Sequence, residues 1–470
     1  MGNRFKHGFT TVADDVTHAD LRVEGQIPAW LTGTLIRNGP GQFEVNGHSY
    51  RHWFDGLALL HSFTFADGRV SYRGRYLRSA AYLRDNATGR INYRGFAVDP
   101  CRSLFQRVMS LFVLPPPGHN AAIHITRVAD RFLALTETPI PVAFDPHTLE
   151  TLGVYDYGDA LSGQVTTAHP HFDAQRGIAI NYLLKFGFTQ TYQIYGISGA
   201  RRHLMARIPA PRPAYMHSFA MTARYVILAE FSLVLPVAID VLLSGKPFIE
   251  NYRWQPERPA RFLVIDKDTG ARAATVEAEP FFAFHHVNAF ERDSDLILDI
   301  AAYHDARVID HLRLDHLRGD QPSLDWGELR RYRVPLDGRS ATYEIITDLP
   351  FDLPQIDYPR RAGQPYRVVY GAGSHPQDRD FINQLIRVEV ESGAVKTWYE
   401  PGCYPSEPVF VPKPGATEPD DGLILAVVLD GARESSFLLI LDAATFTEIG
   451  RAHVPRVIPF SFHGTFFADI

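Results

Sequence analysis

The chain has 470 residues, 45% of them hydrophobic and 12% aromatic, enough apolar side chain to bury a large core. Its 47 basic and 53 acidic residues are interspersed and leave a net charge of -6, which argues against a general nucleic-acid surface. Two cysteines, Cys101 and Cys403, are too few for a disulfide framework or a thiolate metal site.

At the N-terminus, Met1 to Thr11 carries charges and no apolar stretch of signal-peptide type, which predicts a cytoplasmic protein. Gly2 does not begin a myristoylation motif, because Lys6 stands where Ser or Thr is needed. From there β-rich runs recur, each ending in a turn that carries Asp, Gly or both. In chain order the turns fall in Phe63–Gly68, Phe144–Leu149, Ile194–Gly199, Val264–Gly270, Val334–Gly338, Val388–Gly393 and Leu439–Ala444. Asp and Gly tolerate the backbone of a tight hairpin turn, and alternating apolar residues flank each one. Seven hairpins at roughly 50–80-residue spacing suit the blades of a β-propeller with insertions; the plainer alternative is an all-β protein with ordinary hairpins. No linker divides the chain, so residues 1–470 read as a single propeller domain.

The longest apolar run, Tyr225 to Leu243, is broken by Glu230, Pro236 and Asp240 and makes a poor spanning helix. Ser244-Gly245-Lys246-Pro247 lacks the glycine spacing and the Ser or Thr of a phosphate-binding loop.

Of twenty histidines, four stand out by their apolar or aromatic setting. They are His169 in Thr166-Thr167-Ala168-His169-Pro170-His171, His217 in Tyr215-Met216-His217-Ser218-Phe219, His285 in Phe281–Asn288, and His463 in Ile458–Gly464. Singly, each would pass for a core histidine. Each falls in a different blade-sized segment, however, and the innermost strands of a propeller converge on its axis, where one imidazole per blade could meet.

At these motifs the chain resembles the carotenoid cleavage oxygenase family, nearly end to end. The resemblance begins with Arg37-Asn38-Gly39-Pro40-Gly41 and His52-Trp53-Phe54-Asp55-Gly56 and runs through the four histidine motifs. It includes Leu353-Pro354-Gln355-Ile356-Asp357-Tyr358 and Tyr404-Pro405-Ser406-Glu407-Pro408, and closes with Phe462-His463-Gly464. It implies an all-β, seven-bladed β-propeller with a cap of loops and short helices over the metal face. It also implies one Fe(II), held by His169, His217, His285 and His463, with neighbouring His171 and His286 as packing or hydrogen-bonding residues. Imidazole alone does not name the metal. Metal-bound histidines usually donate their other N–H to a carboxylate. The family's three carboxylates match Glu137, Glu407 and Asp352; the last stands where many members have Glu, and its shorter arm leaves room for a bridging water.

The implied reaction is dioxygenase cleavage of a conjugated C=C bond of a carotenoid or apocarotenoid, giving two carbonyl products from a hydrophobic polyene and O2. The alternatives are a stilbene-cleaving oxygenase with the same iron site and a non-catalytic propeller scaffold. Thr136 stands where stilbene cleavers typically carry Lys, which favours the polyene, and Ile123 falls where the family crowds one iron position. Two apolar segments, 104–114 and 231–243, do not fit a blade. By the resemblance they are insertions at a tunnel mouth that give peripheral membrane contact.

Overall fold

A computed structural model of the chain describes residues 4–93, 95–98, 119–236, 246–319, 324–377 and 380–470. Seven antiparallel sheets form the blades of a β-propeller. Blade 2 is the simplest: His124–Val128 lies innermost, followed outward by Arg131–Leu135, Val142–Phe144 and Thr151–Val154. Blades 3, 4, 5 and 6 follow in chain order, with innermost strands at Val165–Thr166 and His171–Asp173, Ala220–Met221, Phe282–Arg292, and Asp352–Gln355. Blade 7 starts from Cys403–Pro405 and Val409–Pro412 and runs out to Glu448–Val454. Blade 1 is built from both ends of the chain. Gly33–Gln42, Leu57–Ala66 and Arg69–Tyr76 supply its outer part, and His463–Phe467 supplies the innermost strand.

All seven hairpins expected from sequence are present, and each joins the third and fourth strands of its blade. Asp side chains shape several of these turns. Asp145 Oδ1 accepts the N–H groups of His147 and Thr148, and Asp266 Oδ1 those of Asp268 and Thr269, the local bonding that makes Asp a turn residue. Strand position also sets the apolar pattern. The middle strands of a blade are covered on both faces by neighbouring blades, so Gly422–Asp430 is buried throughout, whereas outer Arg69–Tyr76 alternates.

The run Tyr225–Leu243 corrects one expectation. Tyr225–Glu230 is a strand of blade 4, and Leu233–Val234 pairs with Arg253–Trp254. Phe231, Leu233, Val234 and Leu235 are buried core, and so is Glu230, whose carboxylate takes Arg261 and the Tyr192 hydroxyl. The first part of the expected membrane-contact segment therefore packs inward, where Phe231 lies against Phe281 and Phe282 and Leu233 and Leu235 join the same apolar core. The rest of that segment and all of 104–114 lie outside the described residues. Among the described residues, no helix is long and apolar enough to cross a membrane.

Candidate metal centre

The four histidines expected as ligands meet on the propeller axis. His169 sits in the break of the blade 3 inner strand, and His217 just before that of blade 4. His285 lies within the inner strand of blade 5, and His463 opens the closing strand of blade 1. One ring nitrogen from each falls within 4.8 Å of all the others. Nε2 of His169 lies 3.1 Å from that of His217, and Nε2 of His285 lies 3.3 Å from that of His463.

Three rings are fixed from behind by carboxylates. The Nδ1–H of His217 donates to Glu137 (2.7 Å), that of His285 to Asp352 (2.6 Å), and that of His463 to Glu407 (2.8 Å). A carboxylate can only accept here, so each Nδ1 carries the proton and each Nε2 presents its lone pair to the centre. His169 has no carboxylate partner among the described residues. Burial first, then the neighbouring rings, holds His169 and His463 well below the usual imidazole range. Burial also lowers His217, against the pull of Glu137. These three rings are therefore neutral.

Each carboxylate has further support. The Tyr215 hydroxyl donates to Glu137 Oε1 (2.7 Å). Glu407 accepts from Gln355 Nε2 (2.9 Å) and from the N–H of Gly464 (2.9 Å), while the fully buried Arg37 lies 3.7 Å from its Oε2. Burial raises Glu407 above the ordinary carboxylate value despite Arg37 and Gln355. Gly464 is required where it stands, since a Cβ there would come within 2.6 Å of the Arg37 side chain.

Asp352 needs no bridging water. Its Oδ1 takes the His285 proton directly and the N–H of Leu353 (2.8 Å), and its Oδ2 takes the Tyr303 hydroxyl (2.5 Å). Backbone makes up for the shorter arm. The pairing with Val368–Gly373 slips between Asp352 and Gln355, and Leu353 adopts φ 52°, a left-handed conformation uncommon for a bulky residue. Burial pushes Asp352 upward, but His285, Tyr303 and the Leu353 N–H outweigh it and hold the carboxyl below its ordinary value.

This donor set fits a metal cation. Two imidazoles bound at right angles to one first-row ion at about 2.1 Å would hold their nitrogens about 3 Å apart, close to the 3.1 and 3.3 Å seen here. Four lone pairs aimed at one buried point repel each other unless a cation sits among them.

Sequence reading missed His124, whose ring lies 5.5 Å from that of His169 and 5.4 Å from that of His463. Burial, then His463, pushes its pKa down to about 3. It occupies a plain alternating strand, His-Ile-Thr-Arg-Val, with nothing local to mark it. Tyr303 also gave no signal. His171 and His286 stand outside the cluster: His171 bonds the Tyr358 hydroxyl (2.6 Å) and the Phe219 carbonyl (2.8 Å), and His286 bonds Ser218 (2.8 Å).

On one side the cluster faces an apolar cavity of about 70 Å³, walled by Phe54, Phe284, Leu312, Trp326, Phe381 and Phe462. Ile123, His217, His285 and His463 form part of the same wall. The cap expected over this face is present: Phe54 comes from the short helix Trp53–Asp55, and Val308 from Arg307–His311. Thr136 lines a different cavity, of about 30 Å³, between blades 2 and 3.

Comparison with known proteins places this geometry. The family model described as retinal pigment epithelial membrane protein matches residues 9–468. The carotenoid-cleaving dioxygenase, mitochondrial, of Macaca fascicularis is 35% identical, over 97% of this chain and 93% of its own. The beta,beta-carotene 15,15'-dioxygenase of Mus musculus is 32% identical, over 95% of this chain and 89% of its own. The crystal structure of cobalt-substituted Synechocystis ACO superposes with a TM-score of 0.87 at 28% identity, covering 99% of this chain and 98% of that one. Matched along nearly its whole length in both sequence and fold, the chain belongs to the family of the retinal pigment epithelial membrane protein and the carotenoid oxygenases.

Proposed function

We propose that the protein is an Fe(II)-dependent dioxygenase that cleaves one conjugated C=C bond of a carotenoid or apocarotenoid into two carbonyl products. The observation that carries this reading is the convergence of four imidazole nitrogens within 4.8 Å at the wall of an aromatic cavity. His169, His217, His285 and His463 would hold the ion, which when bound supplies dioxygen activation. Neutral ligands leave the ion its full positive charge, and four of them leave positions open for small molecules. Glu137, Asp352 and Glu407 keep each Nδ1 protonated and each ring turned inward. Phe54, Phe284, Trp326 and Phe462 exclude water and offer flat apolar surface to a polyene, so that the shape of the cavity decides which bond lies at the centre.

Polyene is favoured over stilbene because no cation lines the apolar cavity among the described residues, and the one hydroxyl in its wall, that of Tyr303, is committed to Asp352. Thr136 adds none. The test is metal analysis of the purified protein, then incubation with an apocarotenal and separately with a hydroxystilbene. One iron per chain and aldehydes from the apocarotenal are expected. His463→Ala should lose both stoichiometric metal and cleavage; full activity in that variant refutes the assignment.

A further inference from the structure

A second cavity, of about 310 Å³, touches the same cluster from another side. All seven blades contribute to its lining, from His124 of blade 2 round to Glu407 of blade 7 and Thr465 of the closing strand, so it lies on the propeller axis. Its character differs from that of the aromatic cavity. His124, Ser218, His286, Gln355, Tyr358 and Glu407 give it imidazole, hydroxyl, amide and carboxylate groups, and it extends outward to the exposed Pro359.

The four imidazoles divide between the two spaces. His217 borders the aromatic cavity alone, His169 the polar one alone, and His285 and His463 border both. His169 is also the one residue of the four that is not fully buried, and the one without a carboxylate behind it among the described residues. The axial cavity is the only one of the two that His169 lines.

We propose that this axial cavity is the path by which a hydrated divalent cation reaches the four imidazoles, separate from the aromatic cavity; this rests on the metal reading above. A dication sheds its water shell only against groups that replace it; apart from its imidazoles the aromatic cavity offers oxygen from Asp325, Asp352 and Tyr303, the last two bonded to each other, in an otherwise apolar wall. Among its apolar residues the axial lining offers oxygen and nitrogen lone pairs from His124, His286, Gln355, Tyr358 and Glu407, and His169 is the ligand that faces this side alone. The polyene side can then stay dry while the metal side stays wet.

The experiment uses full-length protein stripped of metal with a chelator and follows the rate of Co²⁺ uptake by its visible absorption. Thr465→Trp, and independently Pro412→Trp nearer the surface, should slow uptake about tenfold or more by filling the polar path, with the final stoichiometry still one ion per chain. Leu312→Trp, which fills the aromatic cavity instead, should load at the wild-type rate. Wild-type rates in both axial variants, or equal slowing by Leu312→Trp, overturn the proposal. If the unmodified protein takes up no stoichiometric cobalt, the four-histidine reading itself falls, an outcome distinct from failure of the path.

Discussion

Replacing Asp352 by Asn keeps the size of the side chain and removes its charge. The carboxylate now accepts three protons: from His285 Nδ1 and the Leu353 N–H at Oδ1, and from the Tyr303 hydroxyl at Oδ2. An amide has one oxygen. Two donors converge on Oδ1, so the oxygen belongs there and the new NH2 faces Tyr303, whose oxygen can accept from it but whose proton is left without an acceptor. Two costs follow, and they are separable. The bond to His285 loses its charge assistance, which should weaken metal binding by about 10–100-fold, or roughly 1.4–2.8 kcal/mol. The buried Tyr303 proton loses its acceptor, which should cost about 1–3 kcal/mol of folding stability. Competition with a chromophoric chelator measures the first, and urea unfolding of the metal-free protein measures the second. Adding Tyr303→Phe to Asp352→Asn removes the orphaned hydroxyl but leaves the amide NH2 facing a ring, so it should return part of the stability and none of the affinity. Wild-type metal affinity in Asp352→Asn would refute the role given to this carboxylate, and affinity restored by Tyr303→Phe would refute the separation.

Phe54→Ala opens the wall beside His217, Phe284 and Phe462 and should raise KM for an apocarotenal about tenfold while leaving metal content at one ion per chain. Arg37→Lys keeps the charge but loses the fork that donates to Ser461, the Glu407 carbonyl and the Phe462 carbonyl; urea unfolding should show a loss of about 3 kcal/mol or more. Acid should destabilise the fold through buried histidines outside the metal centre. His52 donates from Nε2 to the Ile309 carbonyl and accepts the Phe54 N–H at Nδ1, so it must be neutral, and burial lowers its pKa to about 3 from 6.5. The unfolded chain then binds the extra proton first, and stability is lost as pH falls below about 6.5 towards 3, by about 2 kcal/mol for this residue at pH 5. Unfolding curves at pH 7.5 and 5 should show that loss, and His52→Gln should show less of it.

What could be read in the sequence was the chemistry that is local. The seven hairpins were legible because Asp145, Asp266 and their counterparts shape a turn within a few residues of themselves. The four imidazoles and the two glutamates were singled out by the family resemblance of the short runs that hold them, since each histidine alone would pass for core. The reach of Asp352 was not, because it depends on a slipped pairing and on the backbone of Leu353 rather than on side-chain length. His124 escaped because its inward aim is a matter of register in an ordinary strand. The apolar run after Glu230 was misjudged in its first part because composition cannot tell a segment that caps a blade edge from one that leaves it. Blade 1 depends on pairing between Asn38 and His463, a contact that no local pattern announces.

Ring closure and site completion are the work of a single strand. His463–Phe467 pairs with Gly33–Gln42 to close blade 1, and its first residue is the fourth imidazole, which follows His285 by 178 positions. During synthesis three of the imidazoles leave the ribosome long before the fourth, so a nascent chain cannot offer the complete pocket, and a propeller that springs open surrenders it. Cation occupancy should therefore report on whether the circle is shut: the ion acts as a clasp, and chelation should loosen first the seam between the two ends of the chain.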